Sequence, residues 1–407
     1  MAYILIYHDT VEPLLNNSLD TLPEPGEEAK SRSHQVMQCL RDVCHAAGGW
    51  IPFSQYMEIA LYQPGIGYYT GGLQKFGAKG DFITAPEVSP LFGQCLAKQI
   101  SEILQGLNNQ ASVLEFGAGS GILAVDILLE LERLNVLPEQ YLIVELSAEL
   151  RLRQQEKIKQ DAPHLFSRVQ WLSELVTDLG DVVVIANEVL DAMPIECFKI
   201  KDDKTQLLMV GFENDVLVSR YSDSSVTSII ENIEQRSEFE FSTEYCSEYN
   251  PAIKAWLALL AENVESCVVL LIDYGYNETE YYHADRVSGT QMCYYQHRAH
   301  NDYLWWPGLQ DITAFVNFTD VAYNAVDLQM EVSGYTTQAA FLLACGLSEL
   351  HAEQVNNDVK QQIKLSQQIK TLTLPSEMGD RFKVMALTKN YDKPLLGFSM
   401  LDLRNRL

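Results

Sequence analysis

Basic residues are scarce in this chain: 29 Lys and Arg stand against 55 Asp and Glu among 407 residues, a formal net charge of −26 at pH 7. Charge of that sign repels nucleic-acid phosphates and anionic membrane surfaces, so neither is an expected partner. The acidity leaves two readings open, a solvated surface that aids solubility or an attraction to a basic substrate. Metal-ligand spacing is also missing. The eight cysteines include no CxxC pair, and Cys39, Cys44 and His45 lie at offsets that do not share a helix face. They read as reduced thiols of a cytoplasmic protein, and no metal is expected. No stretch approaches the roughly 18 uninterrupted apolar residues of a membrane span. The start, MAYILIYHDTVEPLL, lacks the cationic lead of a signal peptide and the Arg-rich character of a transit peptide, so a cytoplasmic location is expected.

The chain does contain an alternation of strand-like and helix-like segments. Residues 111–200 read as strand SVLEF, helix, strand QYLIVEL, helix, strand RVQWL, short helix, strand DVVVIAN. That order predicts an α/β fold with a Rossmann-like, doubly wound parallel sheet. An amino-terminal helical unit over 1–110 precedes it, with a helix from Glu27 to Ala47 stopped by Gly48 and Gly49, and another ending near residue 107. Residues 201–263 read as an insertion, a hairpin around END followed by an acidic segment from Glu231 to Glu248 and the helix AIKAWLALLAENV. The core resumes over 264–407 with strand SCVVLLIDYGY, an aromatic loop within 276–310, strand DITAFVNF, helices around GYTTQAAFLLACG and VKQQIKLSQQIKTL, and strand RFKVMALTK.

Three glycines at alternate positions, Gly117, Gly119 and Gly121, follow the first core strand in SVLEFGAGSG. Glycines there let the backbone turn sharply and approach a nucleotide-like ligand without Cβ interference. A dinucleotide fingerprint places its third glycine one position later, where this chain has Ile122. Glu115 before the turn and Glu145 at the next strand tip surround it with negative charge, which disfavours phosphate and suits a cation. S-adenosylmethionine carries a sulfonium, an ammonium and a ribose diol but no phosphate, and Glu145 stands where a carboxylate accepts ribose hydroxyls. The cofactor set is therefore Glu115, Gly117, Ala118, Gly119, Gly121, Glu145, Leu146 and Asn187, with Thr84, Pro86 and Glu87 on a loop, shared with Asp81, that either closes over the ligand or caps a helix.

The run NEVLDAMPIECF follows DVVVIA, where ligands of open α/β sheets bind. Glu188 and Asp191 there suit a planar guanidinium, which paired carboxylates grip through its fixed donors while offsetting the loss of a proton. Helix capping is the alternative role for both acids. Glu188, Asp191, Asn187 and His297 form the candidate catalytic set. His297 belongs to a stretch with Arg298, His300, Asp302 and Asp311 beside Tyr294, Tyr295, Trp305 and Trp306. Arg298 among those groups argues for substrate contact or a loop network rather than metal.

These segments together resemble the MidA-like class I methyltransferases. The carrying residues are FSQYMEIALYQPGIGYYT, KGDFITAPEVSPLFG, VLEFGAGSGILA, ANEVLDAMPIECF, LLIDYGY, YYQHRAHND, GLQDITAFVNFTDVA, GYTTQAAFLL and MGDRFKVMALTK, spread from about residue 51 to 389. The resemblance implies a Rossmann-like methyltransferase core with an added helical unit and S-adenosylmethionine as donor. For mitochondrial members it implies symmetric dimethylation of arginine and a role in respiratory complex I assembly. The family's cofactor glycines fall on Gly117, Gly119 and Gly121, its second-strand acid on Glu145, and its NExxDAxP segment on Asn187, Glu188, Asp191, Ala192 and Pro194. Trp305 and Trp306 are bulkier than the small or acidic residues the resemblance leads one to expect. The expected partner is a protein with a basic or arginine-containing segment, and the lack of a presequence resembles the bacterial members. Homodimerisation is left open, as are a noncatalytic assembly chaperone that keeps the cofactor fold, with the acidic segment as its partner surface, and a small-molecule methyltransferase.

Overall fold

A computed structural model describes residues 22–71, 83–107, 111–175, 177–202, 204–223, 227–237, 240–354 and 358–407. Its central sheet is built from seven main strands: β1 (Ser112–Phe116), β2 (Tyr141–Val144), β3 (Val169–Leu172), β4 (Asp181–Asn187), β5 (Ser266–Tyr276), β6 (Glu331–Thr337) and β7 (Phe382–Lys389). Their spatial order is β3-β2-β1-β4-β5-β7-β6. β1 to β5 are parallel, while β7 runs antiparallel to both β5 and β6. The fold is thus the doubly wound, Rossmann-like α/β core that the segment order predicts.

Near-continuous apolar runs in β4 and β5 require cover on both faces of the sheet. Alternate residues supply it. Val183, Ile185, Val268 and Leu270 pack with the helices Pro90–Gly106 and Ile122–Arg133, whereas Val182, Val184, Val269 and Leu271 pack with Ala252–Asn263 and Phe318–Asp327. The direction in which strands are added reverses between β1 and β4, which opens a crevice at their carboxyl ends.

Around this core the amino-terminal helices Glu27–Ala46 and Phe53–Tyr62 are joined by the strand Trp50–Pro52, with Gly48 and Gly49 at φ 82° and 114° ending the first helix. That strand pairs with Lys204–Glu213 in a five-stranded sheet completed by Glu196–Lys201, Val216–Asp223 and Cys246–Tyr249. Glu248, within the acidic segment, is buried and accepts from the Thr290 backbone N–H, the Thr290 hydroxyl and the Tyr281 hydroxyl. It therefore braces the 281–290 loop from inside.

Several local expectations are corrected. No helix lies between β3 and β4 among the described residues. The aromatic loop contains the strands Met292–Tyr295 and Arg298–His300, which form a three-stranded sheet with Asp311–Thr313. DITAFVNF is not one strand: it breaks into Asp311–Thr313, Val316–Asn317 and the start of the helix Phe318–Asp327, whose cap is the Asn317 side chain. GYTTQ lies mostly in β6, because Val332, Thr336 and Thr337 suit a strand and Thr337 then caps the helix Gln338–Ala344.

Gly275, in β5, lies against Val316, where an added Cβ would sit 2.1 Å from the carbonyl oxygen. Gly275→Ala is therefore expected to destabilise the protein by about 1–3 kcal/mol, read as a lower urea midpoint. An unchanged midpoint would contradict this packing.

Candidate active site

The crevice is a cleft of about 810 Å³. At its floor the glycine turn runs with Gly117, Gly119 and Gly121 at φ 63°, 52° and 83°, the left-handed region that side chains disfavour. The Gly117 N–H donates to the Val144 carbonyl at 3.1 Å, tying the turn to β2, and the Gly121 N–H donates to the Ala118 carbonyl at 2.7 Å. A Cβ on Gly121 would come within 3.1 Å of the Gln154 Cα, so the third glycine also lets the helix Ala148–Asp161 approach.

Acids surround this turn. Glu145, at the β2 tip, is held by the Ser147 N–H on Oε1 and the Gln154 amide on Oε2, both at 2.8 Å. Glu115 is 2% exposed and accepts from the Tyr141 hydroxyl at 2.8 Å. Burial pushes its pKa up to about 7, while the tyrosine bond pulls the other way. Ser120 donates to Glu87 at 2.5 Å, linking the glycine turn to the Thr84–Val88 segment. Thr84, Pro86, Glu87, Ala118 and the exposed Leu146 all line the cleft.

At the β4 tip Glu188 takes a left-handed φ of 52°, which turns the chain back toward the cleft. Burial, with Asp191 adding repulsion, raises its pKa to about 8 despite opposing bonds from the Ala85 N–H and the Asn187 amide. Asp191 is raised to about 6, again by burial, with the Tyr274 hydroxyl donating to it at 2.5 Å and pulling it down. Behind them the fully buried Asp273 accepts the N–H groups of Leu190, Asp191 and Tyr274 at 3.1, 3.2 and 2.9 Å. This carboxylate therefore moulds the turn on which Glu188 and Asp191 stand. Asn187 Oδ1 and Asp191 Oδ1 are buried without a hydrogen-bond partner, a costly state for acceptors.

The structure thus brings the two sets of sequence candidates onto one cavity, apart from Gly121, which shapes the turn without lining it, and with His297 exposed at the rim. Asp81 lies outside the described residues. Trp305 and Trp306 do not line the cleft: Trp305 lies tilted against Tyr295, and Trp306 meets His34 of the first helix. No cluster of potential metal ligands occurs among the described residues.

Other wall residues were not singled out from sequence. Tyr62 and Tyr69 stack with ring centroids 5.4 Å apart, donating to the Ala192 carbonyl and to Asp311, both at 2.9 Å. Their seven-residue spacing around Pro64 and Gly65 was the available signal. Thr371, Met378, Arg381 and Phe382 border the cleft from the carboxyl-terminal part, the last three within MGDRFKVMALTK, a segment that carries the family resemblance. Among the described residues, eight carboxylates line the cavity (Glu58, Glu87, Glu115, Glu145, Glu188, Asp191, Asp311 and Glu377) against one arginine, Arg381.

A carboxyl whose folded pKa is raised favours folding while protonated and loses that contribution as pH climbs. Glu188 and Asp191 should therefore lower stability as pH rises from about 4 through about 8. Glu188→Gln is expected to melt higher than the wild type at about pH 9, with a smaller gap at about pH 4. A variant that melts lower at the alkaline end would contradict the loss of solvent around this half-buried acid.

Comparison with known proteins adds to this geometry. Residues 95–336 match the family described as "Putative S-adenosyl-L-methionine-dependent methyltransferase". The chain is similar to Protein arginine methyltransferase NDUFAF7, mitochondrial, of Danio rerio, at 28% identity over 88% of this chain and 91% of that one. The Mus musculus protein of the same name is 29% identical, over 89% and 86%. Among solved structures, a Burkholderia thailandensis protein bound to S-adenosyl-homocysteine superposes with a TM-score of 0.90 at 38% identity, covering 95% of this chain and all of that one.

Proposed function

The chain belongs to this family of S-adenosyl-L-methionine-dependent methyltransferases, and from that premise we propose that it methylates an arginine side chain of a protein. The observation that carries the acceptor is the pair of unpartnered buried oxygens, Asn187 Oδ1 and Asp191 Oδ1, beside the carboxyl of Glu188. A guanidinium presents several N–H donors in one plane and carries the charge that such a wall lacks. The names of the relatives, protein arginine methyltransferases, support the same reading.

The residues present fit the cofactor. The left-handed glycines leave a main-chain surface for a nucleoside, and Glu145 offers a carboxylate at the strand tip where no phosphate is accommodated. When bound, S-adenosylmethionine supplies an electrophilic methyl group on a positively charged sulfur. Glu145 would hold the ribose, Leu146 would pack against the adenine side, and Thr84, Pro86 and Glu87 would close the near wall. Asn187, Glu188 and Asp191 would orient the guanidinium so that one nitrogen faces the methyl, the alignment that a displacement demands. Glu188, in its ionised form, takes the proton that this nitrogen releases. His297, at the rim, stands where an entering peptide passes. The Tyr62–Tyr69 pair and Phe315 present aromatic wall that keeps water out of the reaction.

A protein substrate fits the acidic cleft, and the eight free cysteines support a reducing compartment. The test uses purified protein, methyl-labelled S-adenosylmethionine and extract from cells lacking this protein, with labelled residues identified by mass spectrometry. Label on arginine is expected, and label confined to another residue type would overturn the acceptor. Two kinetic outcomes follow from the acids. With that substrate, kcat/KM should rise between about pH 6 and about pH 8 as Asp191 and Glu188 ionise. Glu188→Gln should lower kcat by about a hundredfold or more while S-adenosylhomocysteine binding stays within about threefold. A variant with the wild-type rate would remove Glu188 from the chemistry.

A further inference from the structure

Gln154 does not line the cleft, yet it is fully buried and makes three hydrogen bonds around the cofactor turn. Its Nε2 donates to the Gly119 carbonyl at 3.1 Å and to Glu145 Oε2 at 2.8 Å, and its Oε1 accepts from the Trp171 indole at 2.9 Å. The helix Ala148–Asp161 buries three residues at four-residue spacing, Leu150, Gln154 and Ile158. An apolar residue at the middle position would be the default for such a stripe, so the amide stands there against the usual preference for core residues. All three partners select one orientation of the amide: turned over, its oxygen would face the Glu145 carboxylate and the Gly119 carbonyl, and its NH₂ would face the indole N–H.

We propose that Gln154 is a positioning residue for the cofactor, locking Glu145 and the glycine turn into one rigid unit without touching the ligand. This rests on the reading of the cleft as an S-adenosylmethionine site. Glu145 has two carboxylate oxygens, and Ser147 and Gln154 engage one each, which fixes the plane in which the carboxylate meets a ribose diol. The same amide pins the carbonyl of Gly119, whose left-handed backbone has no side chain to steady it. Trp171, from β3, in turn fixes the amide, so the outer strand of the sheet takes part in shaping the site.

The test is calorimetric titration of the full-length protein with S-adenosylhomocysteine in the wild type, Gln154→Leu, Glu145→Gln and the double variant. Gln154→Leu keeps the buried volume and removes the bonds, and is expected to weaken binding about tenfold. Because Gln154 acts in large part through Glu145, the loss in the double variant should fall well short of the sum of the two single losses, the non-additivity of a coupled pair. If Gln154→Leu does not fold, Trp171→Phe serves instead, with an expected weakening of about threefold that shrinks in the Glu145→Gln background. Binding within about twofold of wild type, or losses that add in the double variant, would overturn the proposal. A wild-type protein giving no saturable heat would overturn the cofactor reading beneath it.

Discussion

Left-handed backbone at three alternate residues is the constraint on which the remainder of the site depends. With Gly117, Gly119 and Gly121 at positive φ, the chain leaves β1, folds back against β2 and enters its helix within five residues. No side chain but those of Ala118 and Ser120 intervenes, and Ser120 is spent on Glu87. A flat main-chain surface therefore lies at the point where strand order reverses, with the tips of β2 and β4 on either side. Glu145 and the Asn187–Asp191 turn reach the same cavity only because the parallel register brings those tips level with the glycines.

The acids impose a second constraint, set by burial. Glu115, Glu188 and Asp191 all have raised pKa values, and each is raised first by loss of solvent. A wall of this kind works against the folded state at neutral pH and is relieved when a cation enters, so ligand affinity and fold stability are linked through the same groups. Asp273 shows how the backbone supports the arrangement. Its carboxylate gathers three N–H groups and so gives the turn carrying Glu188 and Asp191 a fixed shape. Tyr274, the next residue, then reaches Asp191 directly.

Much of this was legible in the chain. The alternating segments of residues 111–200 predicted the sheet because central parallel strands must be apolar throughout, and VVVIA and CVVLLI are. The glycine spacing and the acids at strand ends marked the cavity because a backbone turn and a charge at a tip are local facts. What escaped was non-local. Gln154 looks like one polar residue in the charged helix AELRLRQQEKIKQD until packing turns it inward. Glu248 reads as part of a solvated acidic run, yet it is buried beneath a loop more than thirty residues away. Trp305 and Trp306 stand out in sequence as bulky residues in the substrate stretch, and tertiary packing sets Trp305 against Tyr295 and Trp306 against His34 of the first helix, away from the cleft. The short strands of residues 292–313 carry no periodicity long enough to show, and β6 was masked by the helix that follows Thr337.

The central claim is that a side-chain-free bend flanked by acids receives an adenosine-bearing cation. Replacing Gly119, at φ 52°, by a β-branched residue places a Cβ where ligand and backbone both forbid it. The direct measurement is calorimetric titration of S-adenosylmethionine into the wild type and into a Gly119→Val variant that still unfolds cooperatively. The account requires saturable heat in the first and none in the second; equal affinity in the two proteins would contradict it.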